Sequence, residues 1–183
     1  MIKINLLPVR AARKKEAVQR HLVLFIAGLA LEHDLFVITD DPYEVYVYDD
    51  LELYHMLRIP QLAKQVIACA SFSKEFAMTG WRVGYVVANE AISKLIAKIQ
   101  EPQISCVSSV GQKAAEAALT GPQDCVAEMC QSYHERRDVV VQVLKDEGYY
   151  VYTPQGAFYI MVDISEAGID SRQFALSLLQ ERR

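Results

Sequence analysis

The chain reads as an α/β protein. Two patterns alternate along it: short apolar runs of buried-strand type, and longer stretches whose apolar residues recur at helical spacing. Reactive and polar residues stand at the carboxyl ends of the short runs, where ligands gather in α/β sheets. With 183 residues and 52% hydrophobic content, the chain is long enough to bury a core, as one domain or as one large domain with part of another.

The elements follow in order. A helix ends around Leu29 and Leu31, and Leu35-Phe36-Val37-Ile38-Thr39 then makes a buried strand that delivers Asp40. Gln65 to Ala70 is a second strand, delivering Ser71 to Lys74, and Arg82 to Ala88 is a third. Asn89 caps a helix whose Ile92, Leu95, Ile96 and Ile99 share one face, turned to the core. An alanine-rich helix spans Val110 to Leu119. Thr120-Gly121-Pro122 breaks the chain before a long helix, with Pro122 in its first turn, that runs to Glu147 and is closed by Gly148. Val126, Met129, Cys130, Tyr133, Val140, Val143 and Leu144 mark its buried stripe. Tyr149 to Tyr152 and Gly156 to Ile164 are two further strands, and Asp170 with Gln173 caps the closing helix.

Charge divides the chain. Residues 1–20 hold six basic side chains and one acidic, whereas the remainder holds 13 basic and 22 acidic. The acidic bulk would repel phosphate backbones, which excludes a nucleic-acid role for the whole chain. The apolar run Leu22 to Leu31 is well short of the roughly 20 residues that span a bilayer, and the long basic segment before it departs from a signal peptide. Cys69, Cys106, Cys125 and Cys130 form no C-x-x-C pair, so reduced thiols in the cytoplasm are expected. Cys130 and His134 are spaced to share a helix face, but two ligands without partners make no metal site, and none is predicted.

The densest chemistry lies in Ser71-Phe72-Ser73-Lys74-Glu75-Phe76-Ala77-Met78-Thr79-Gly80-Trp81-Arg82-Val83-Gly84-Tyr85. A lysine beside two hydroxyls, followed by an arginine between glycines, is what a phosphate-bearing aldehyde cofactor requires. Gly80 and Gly84 are expected to admit close backbone or positive φ, and Trp81 is expected in the core. Ser71-x-x-Lys74 also matches the serine nucleophile motif of penicillin-binding enzymes, whose S-D-N and K-T-G companions are missing here.

This segment resembles the lysine segment of class I/II aminotransferases, the fold-type I enzymes that use pyridoxal 5'-phosphate. Ile38-Thr39-Asp40-Asp41-Pro42-Tyr43, Cys106 to Ala115 and Pro154-Gln155-Gly156-Ala157-Phe158-Tyr159 resemble further family text, so the likeness covers about residues 26 to 183. It implies an α/β fold comprising part of the large domain, a mainly parallel sheet with flanking helices, over 26–121. Part of the small α+β C-terminal domain occupies 122–183, and 1–25 is a basic tail of separate origin. It implies transamination between an amino acid and a 2-oxo acid, in a cytoplasmic homodimer. Lys74 would carry the cofactor and act as general base. Asp40 would pair with the ring nitrogen, with Asp41 as the competing carboxylate, and Tyr43 would bond the ring oxygen. Ser71 and Arg82 would anchor the phosphate, and Ser73 either assists them or shapes the loop.

The family's upstream glycine-rich phosphate loop, stacking aromatic and asparagine have no counterpart in this sequence, nor has its C-terminal carboxylate-gripping arginine. Family-like turnover of the isolated chain is therefore not expected. Met1-Ile2-Lys3-Ile4-Asn5-Leu6-Leu7-Pro8-Val9-Arg10 resembles instead the cytoplasmic tail of PilN, the type IV pilus assembly protein, which docks as an extended peptide on PilM. Two functions follow: an incomplete aminotransferase, or a docking peptide, residues 1–10, for a PilM-like partner on an inactive enzyme fragment. A reading frame joining two unrelated genes is a third origin.

Overall fold

Small residues decide how the chain begins. In the computed structural model, which describes residues 7–181, helix α1 (Leu7–Glu32) comes first, with Pro8 in its first turn, where a missing N–H costs no helical bond. Ala27 and Ala30, one turn apart, are buried against Leu62, Val66 and Ala68, and Val23 packs beside them. The Tyr54 backbone N–H donates to Gln19 Oε1 at 3.2 Å. The basic charge and Pro8 of residues 1–20 suit an exposed or extended segment. A helix instead runs from Leu7 through residue 20 without a break, while Met1–Leu6, most of the pilus-like peptide, lie outside the described residues.

Three strands follow: β1 (Val37–Asp40), β2 (Val66–Ser71) and β3 (Gly84–Val87), in spatial order β1-β2-β3. β1 and β2 are parallel, with Val37 opposite Val66 and Asp40 opposite Cys69; β2 and β3 are antiparallel, with Ser71 opposite Gly84. The mainly parallel sheet expected for the large domain is thus represented by one parallel and one antiparallel pair. Because side chains alternate across a strand, Val66 and Ala68 face the α1 core while Ile38, Ile67 and Cys69 point the other way. Ile38 is 70% exposed and Val86 40%. The strands read as buried on both faces, yet among the described residues only one face is well covered.

The helices follow their expected punctuation. β2 leads directly into the single turn α2 (Phe72–Glu75). Asn89 caps α3 (Glu90–Ile104), its side chain accepting from the Ile92 N–H at 3.0 Å, but Leu95 and Ile99 on the stripe expected to face the core are exposed. α4 (Ser109–Thr120) buries Gly111 and Ala115. α5 (Asp124–Asp146) starts two residues after Pro122, and Gly148 beyond it adopts φ +78°. Its buried side chains are Val126 and Val141, whereas Val140 and Val143 lie outside. The Gln173 N–H donates to Asp170 Oδ1 at 2.8 Å ahead of α6 (Ser171–Glu181). The two strands expected between α5 and α6 reduce to isolated bridges, Val47–Gly156 and Tyr150–Val162, since Ala157 at φ 56° turns the chain out of extended geometry.

The accessible surface is 13,826 Å², against about 8,900 Å² for a folded monomer of this mass. Much of the excess is apolar and lies on the uncovered sheet face and the outer sides of α3 to α6. Among the described residues no helix is long and apolar enough to cross a membrane.

Candidate active site

Lys74 owes its place to the β2–α2 junction. The Ser71 side chain caps α2, its Oγ accepting from the Ser73 N–H at 3.1 Å, so the chain leaves the strand in a tight turn with Lys74 near its end. The Tyr46 hydroxyl donates to the Lys74 carbonyl at 2.7 Å and is buried with the rest of its side chain. Burial pushes the Tyr46 phenol up to about 12, which keeps it a donor at neutral pH. The Lys74 amine lies 5.4 Å from the centre of the Phe158 ring.

Tyr43 reaches the same ring. Its ring meets Phe158 edge-on at 5.3 Å and Tyr159 at 5.5 Å, and the Tyr43 and Tyr159 hydroxyls share a hydrogen bond of 2.6 Å. That bond, with burial and the Tyr159 and Asp40 charges adding to it, holds the Tyr43 phenol up at about 12. Asp40, at the end of β1, lines with Tyr43 and Tyr46 a cavity of 370 Å³ to which Gln155 and Gly156 also contribute. Lys74 does not line this cavity. The neighbouring Asp41 lines the same cavity, but its carboxylate meets His55 Nε2 at 3.0 Å. Asp40 has no ion pair among the described residues, which distinguishes the two carboxylates that spacing left as competitors.

Ser71 ends β2, Ser73 lies in α2, and Arg82 follows on the connection to β3. The Thr79 hydroxyl donates to the Ser73 carbonyl at 2.8 Å, and Arg82 Nη1 donates to the Thr79 carbonyl at 2.9 Å. Arg82 adopts φ 52°, a left-handed conformation rare for a side chain of its kind. It is exposed, with no carboxylate partner among the described residues. A Cβ at Gly84 would come within 2.7 Å of the Ala70 carbonyl, so the close pairing of β2 and β3 beside this loop requires glycine there. Gly80 has open space and negative φ, and Trp81 is 49% exposed, so neither takes the part expected of it. The indole has no described layer to pack into.

Tyr46, Phe158 and Tyr159 escaped the search for reactive groups. The signal for the last two was their place in the Pro154–Tyr159 motif, a stretch without titrating chemistry of its own. Among the described residues no group of three or more His, Cys, Asp or Glu is placed to hold a metal; His134 faces Asp49, and Cys130 Sγ the Val47 carbonyl. Lys74 and Arg82 are not among the residues lining the Asp40 cavity; by chemistry, a half-buried amine, an unpaired carboxylate and a guanidinium with N–H groups to spare are the groups that an aldehyde bearing a phosphate requires.

Comparison with known proteins identifies the family. The family model for aminotransferase class I and II matches residues 18–183. The chain is 38% identical to an aspartate aminotransferase of Pyrococcus horikoshii over 167 residues, 90% of this chain and 42% of that protein. It is 34% identical to an aromatic-amino-acid aminotransferase of Thermococcus litoralis over 86% of this chain and 41% of the relative. The crystal structure of an aspartate aminotransferase from Thermotoga maritima superposes with a TM-score of 0.81 at 32% identity, covering 90% of this chain and 42% of that one. The chain thus spans about two fifths of the length of the curated relatives it matches.

Proposed function

The chain belongs to the class I and II aminotransferase family, and we propose that the protein it forms transfers an amino group from an amino acid to a 2-oxo acid with pyridoxal 5'-phosphate as cofactor. One observation supports this above the others: Lys74 and Tyr43 come together around Phe158, and Asp40 shares a cavity wall with Tyr43. When bound, the cofactor supplies an electron sink for carbanion chemistry. Lys74 would hold it covalently through the amine and, once released, take and return the migrating proton. Asp40 would favour the protonated ring nitrogen by charge pairing. Tyr43, a neutral phenol at physiological pH, would donate to the ring oxygen. Arg82 would offer a planar fork for two phosphate oxygens, and the Ser71 and Ser73 hydroxyls, at the β2–α2 junction just before it in the chain, would complete the anchor.

A homodimer in the cytoplasm belongs to the same proposal; the exposed apolar surface and the four free cysteines support it. A docking role for residues 1–10 has only their sequence behind it, and the family match begins at residue 18.

Addition of the cofactor to purified protein, followed by borohydride reduction and peptide mapping, tests the reading. The label is expected on Lys74 and is lost in Lys74→Ala but kept in Lys64→Ala. Label on Lys64 or Lys94 overturns it. A coupled assay with aspartate, alanine and aromatic donors against 2-oxoglutarate then tests transfer.

A further inference from the structure

Outside the candidate site, the most completely bonded side chain is Arg137 of α5. Its side chain is 8% exposed. Nη1 donates to Asp49 Oδ2 at 2.8 Å and to the Pro154 carbonyl at 2.9 Å; Nη2 donates to Asp49 Oδ1 at 2.9 Å and Asp138 Oδ1 at 2.7 Å; Nε donates to Asp138 Oδ1 at 2.9 Å. A guanidinium has five N–H donors, so the set is saturated. The same group lies over the Tyr48 ring, 5.0 Å from its centre.

The two segments it joins are otherwise remote in sequence and both are strained. Asp49 adopts φ 62° and Ala157 φ 56°, left-handed values that hold only where surroundings enforce them. Between them the Tyr48 hydroxyl donates to the Ala157 carbonyl at 2.6 Å, the Ala157 N–H donates to the Tyr46 carbonyl at 2.8 Å, and the Tyr48 N–H donates to the Gln155 carbonyl at 3.0 Å. A Cβ at Gly156 would come within 2.8 Å of the Tyr46 carbonyl. The Pro154–Ala157 turn is thus seated directly on Tyr46–Asp49. The next two residues in the chain are Phe158 and Tyr159, which meet the Lys74 amine and the Tyr43 hydroxyl.

We propose that Arg137 is a positioning residue for the active site: by clamping Asp49 to Pro154 it sets the turn that carries Phe158 onto Lys74 and Tyr159 onto Tyr43. The functional meaning of the clamp rests on the assignment of Lys74 and Tyr43 to cofactor handling; the clamp itself does not. The planar fork is the working part, because only it grips two oxygens of Asp49 and the Pro154 carbonyl together. A lysine keeps the charge and loses that geometry. A residue that merely adds stability would lower the melting temperature while leaving contacts in the folded state unchanged.

The test uses the full chain without added cofactor, labelled at lysine and at the aromatic residues, as wild type, Arg137→Lys and Arg137→Ala. Two NMR signals are read beside a melting curve: the upfield shift of the Lys74 ε-methylene protons by the Phe158 ring, and the cross-peak between the Tyr43 and Tyr159 rings. Both are expected in the wild type and lost in either variant while cooperative melting persists. A folded Arg137→Lys that keeps both signals overturns the proposal, as does a wild type that shows neither. If both Arg137 variants fail to melt cooperatively, Asp49→Asn removes one arm of the fork with an acceptor oxygen retained. It is expected to weaken both signals, and their persistence at wild-type strength overturns the clamp. Borohydride trapping on the wild type separates the two ideas: loss of the signals in the variants supports the clamp whether or not Lys74 takes up the cofactor.

Discussion

The clamped lobe and the three-stranded sheet solve the problem of holding backbone in place by opposite means. In the lobe, Tyr46–Asp49, Tyr133–Asp138 and Pro154–Tyr159 close on one another through directional bonds: the Arg137 fork, the Tyr48 hydroxyl on Ala157, and the ring of contacts among Tyr43, Tyr46, Tyr133 and Phe158. The closure is directional, though Phe158 and Tyr159 stay partly exposed. The sheet instead relies on layers. α1 and the Met56–Leu62 turns cover one face of β1 and β2, while Ile38 and Val86 stand uncovered on the other among the described residues. Bonds of fixed direction complete a unit from three short segments, whereas hydrophobic burial has no direction and demands area, which a sheet gains only when a second layer lies across it.

The largest effect that would sharpen this comparison is expected in the covered layer. Leu62 is fully buried between α1 and β2, and Leu62→Ala should cost about 2–5 kcal/mol in urea unfolding. A negligible loss would mean that even this face is loosely packed.

A smaller loss is expected where the lobe touches the active site. Tyr46→Phe removes the donor to the Lys74 carbonyl and should cost about 0.5–1.5 kcal/mol, while borohydride labelling of Lys74 slows because the lysine turn loses its support. Unchanged labelling would separate the lobe from the site.

Acid should loosen the lobe before the sheet. The hydrogen bonds from Arg137 hold the Asp49 carboxyl below its ordinary value of 3.8. The unfolded chain therefore takes up the proton first as pH falls. The stabilising contribution is present above that value and is lost as pH drops through the lower folded one. Solvent screens this half-exposed carboxylate, so the effect is modest and weakens further with salt. Hydrogen exchange at Tyr48 and Ala157 should rise below pH 4 ahead of exchange at Val66 and Ala68, and Asp49→Asn should abolish the difference.

The smallest change in stability, and the clearest break in the comparison if it fails, concerns the bare face. Ile38→Lys should alter unfolding by no more than about 0.5 kcal/mol at concentrations where the chain is monomeric, and reduce self-association in sedimentation at higher ones. A large destabilisation of the monomer would show that the chain itself covers this face.

Local chemistry was legible from the sequence by itself. The caps at Asn89 and Asp170, the stop at Gly148, the three strands and the Ser71–Lys74 turn all follow from residues within a few positions of one another, because a cap or strand end is satisfied by its neighbours in the chain. The candidate carboxylate, phenol, amine and guanidinium were named through resemblance to the aminotransferase family, carried by short motifs around them. Tertiary structure alone decided the rest. Tyr159 reaches Tyr43 across 116 residues and Arg137 reaches Asp49 across 88, and no spacing rule links positions so far apart. It also decided that Asp41 is paired with His55 while Asp40, on the same cavity wall, has no ion pair among the described residues. Periodicity marks which side of an element is apolar, as on α3 and β3, but whether that side is covered depends on what folds against it, and that is a property of the assembled layers.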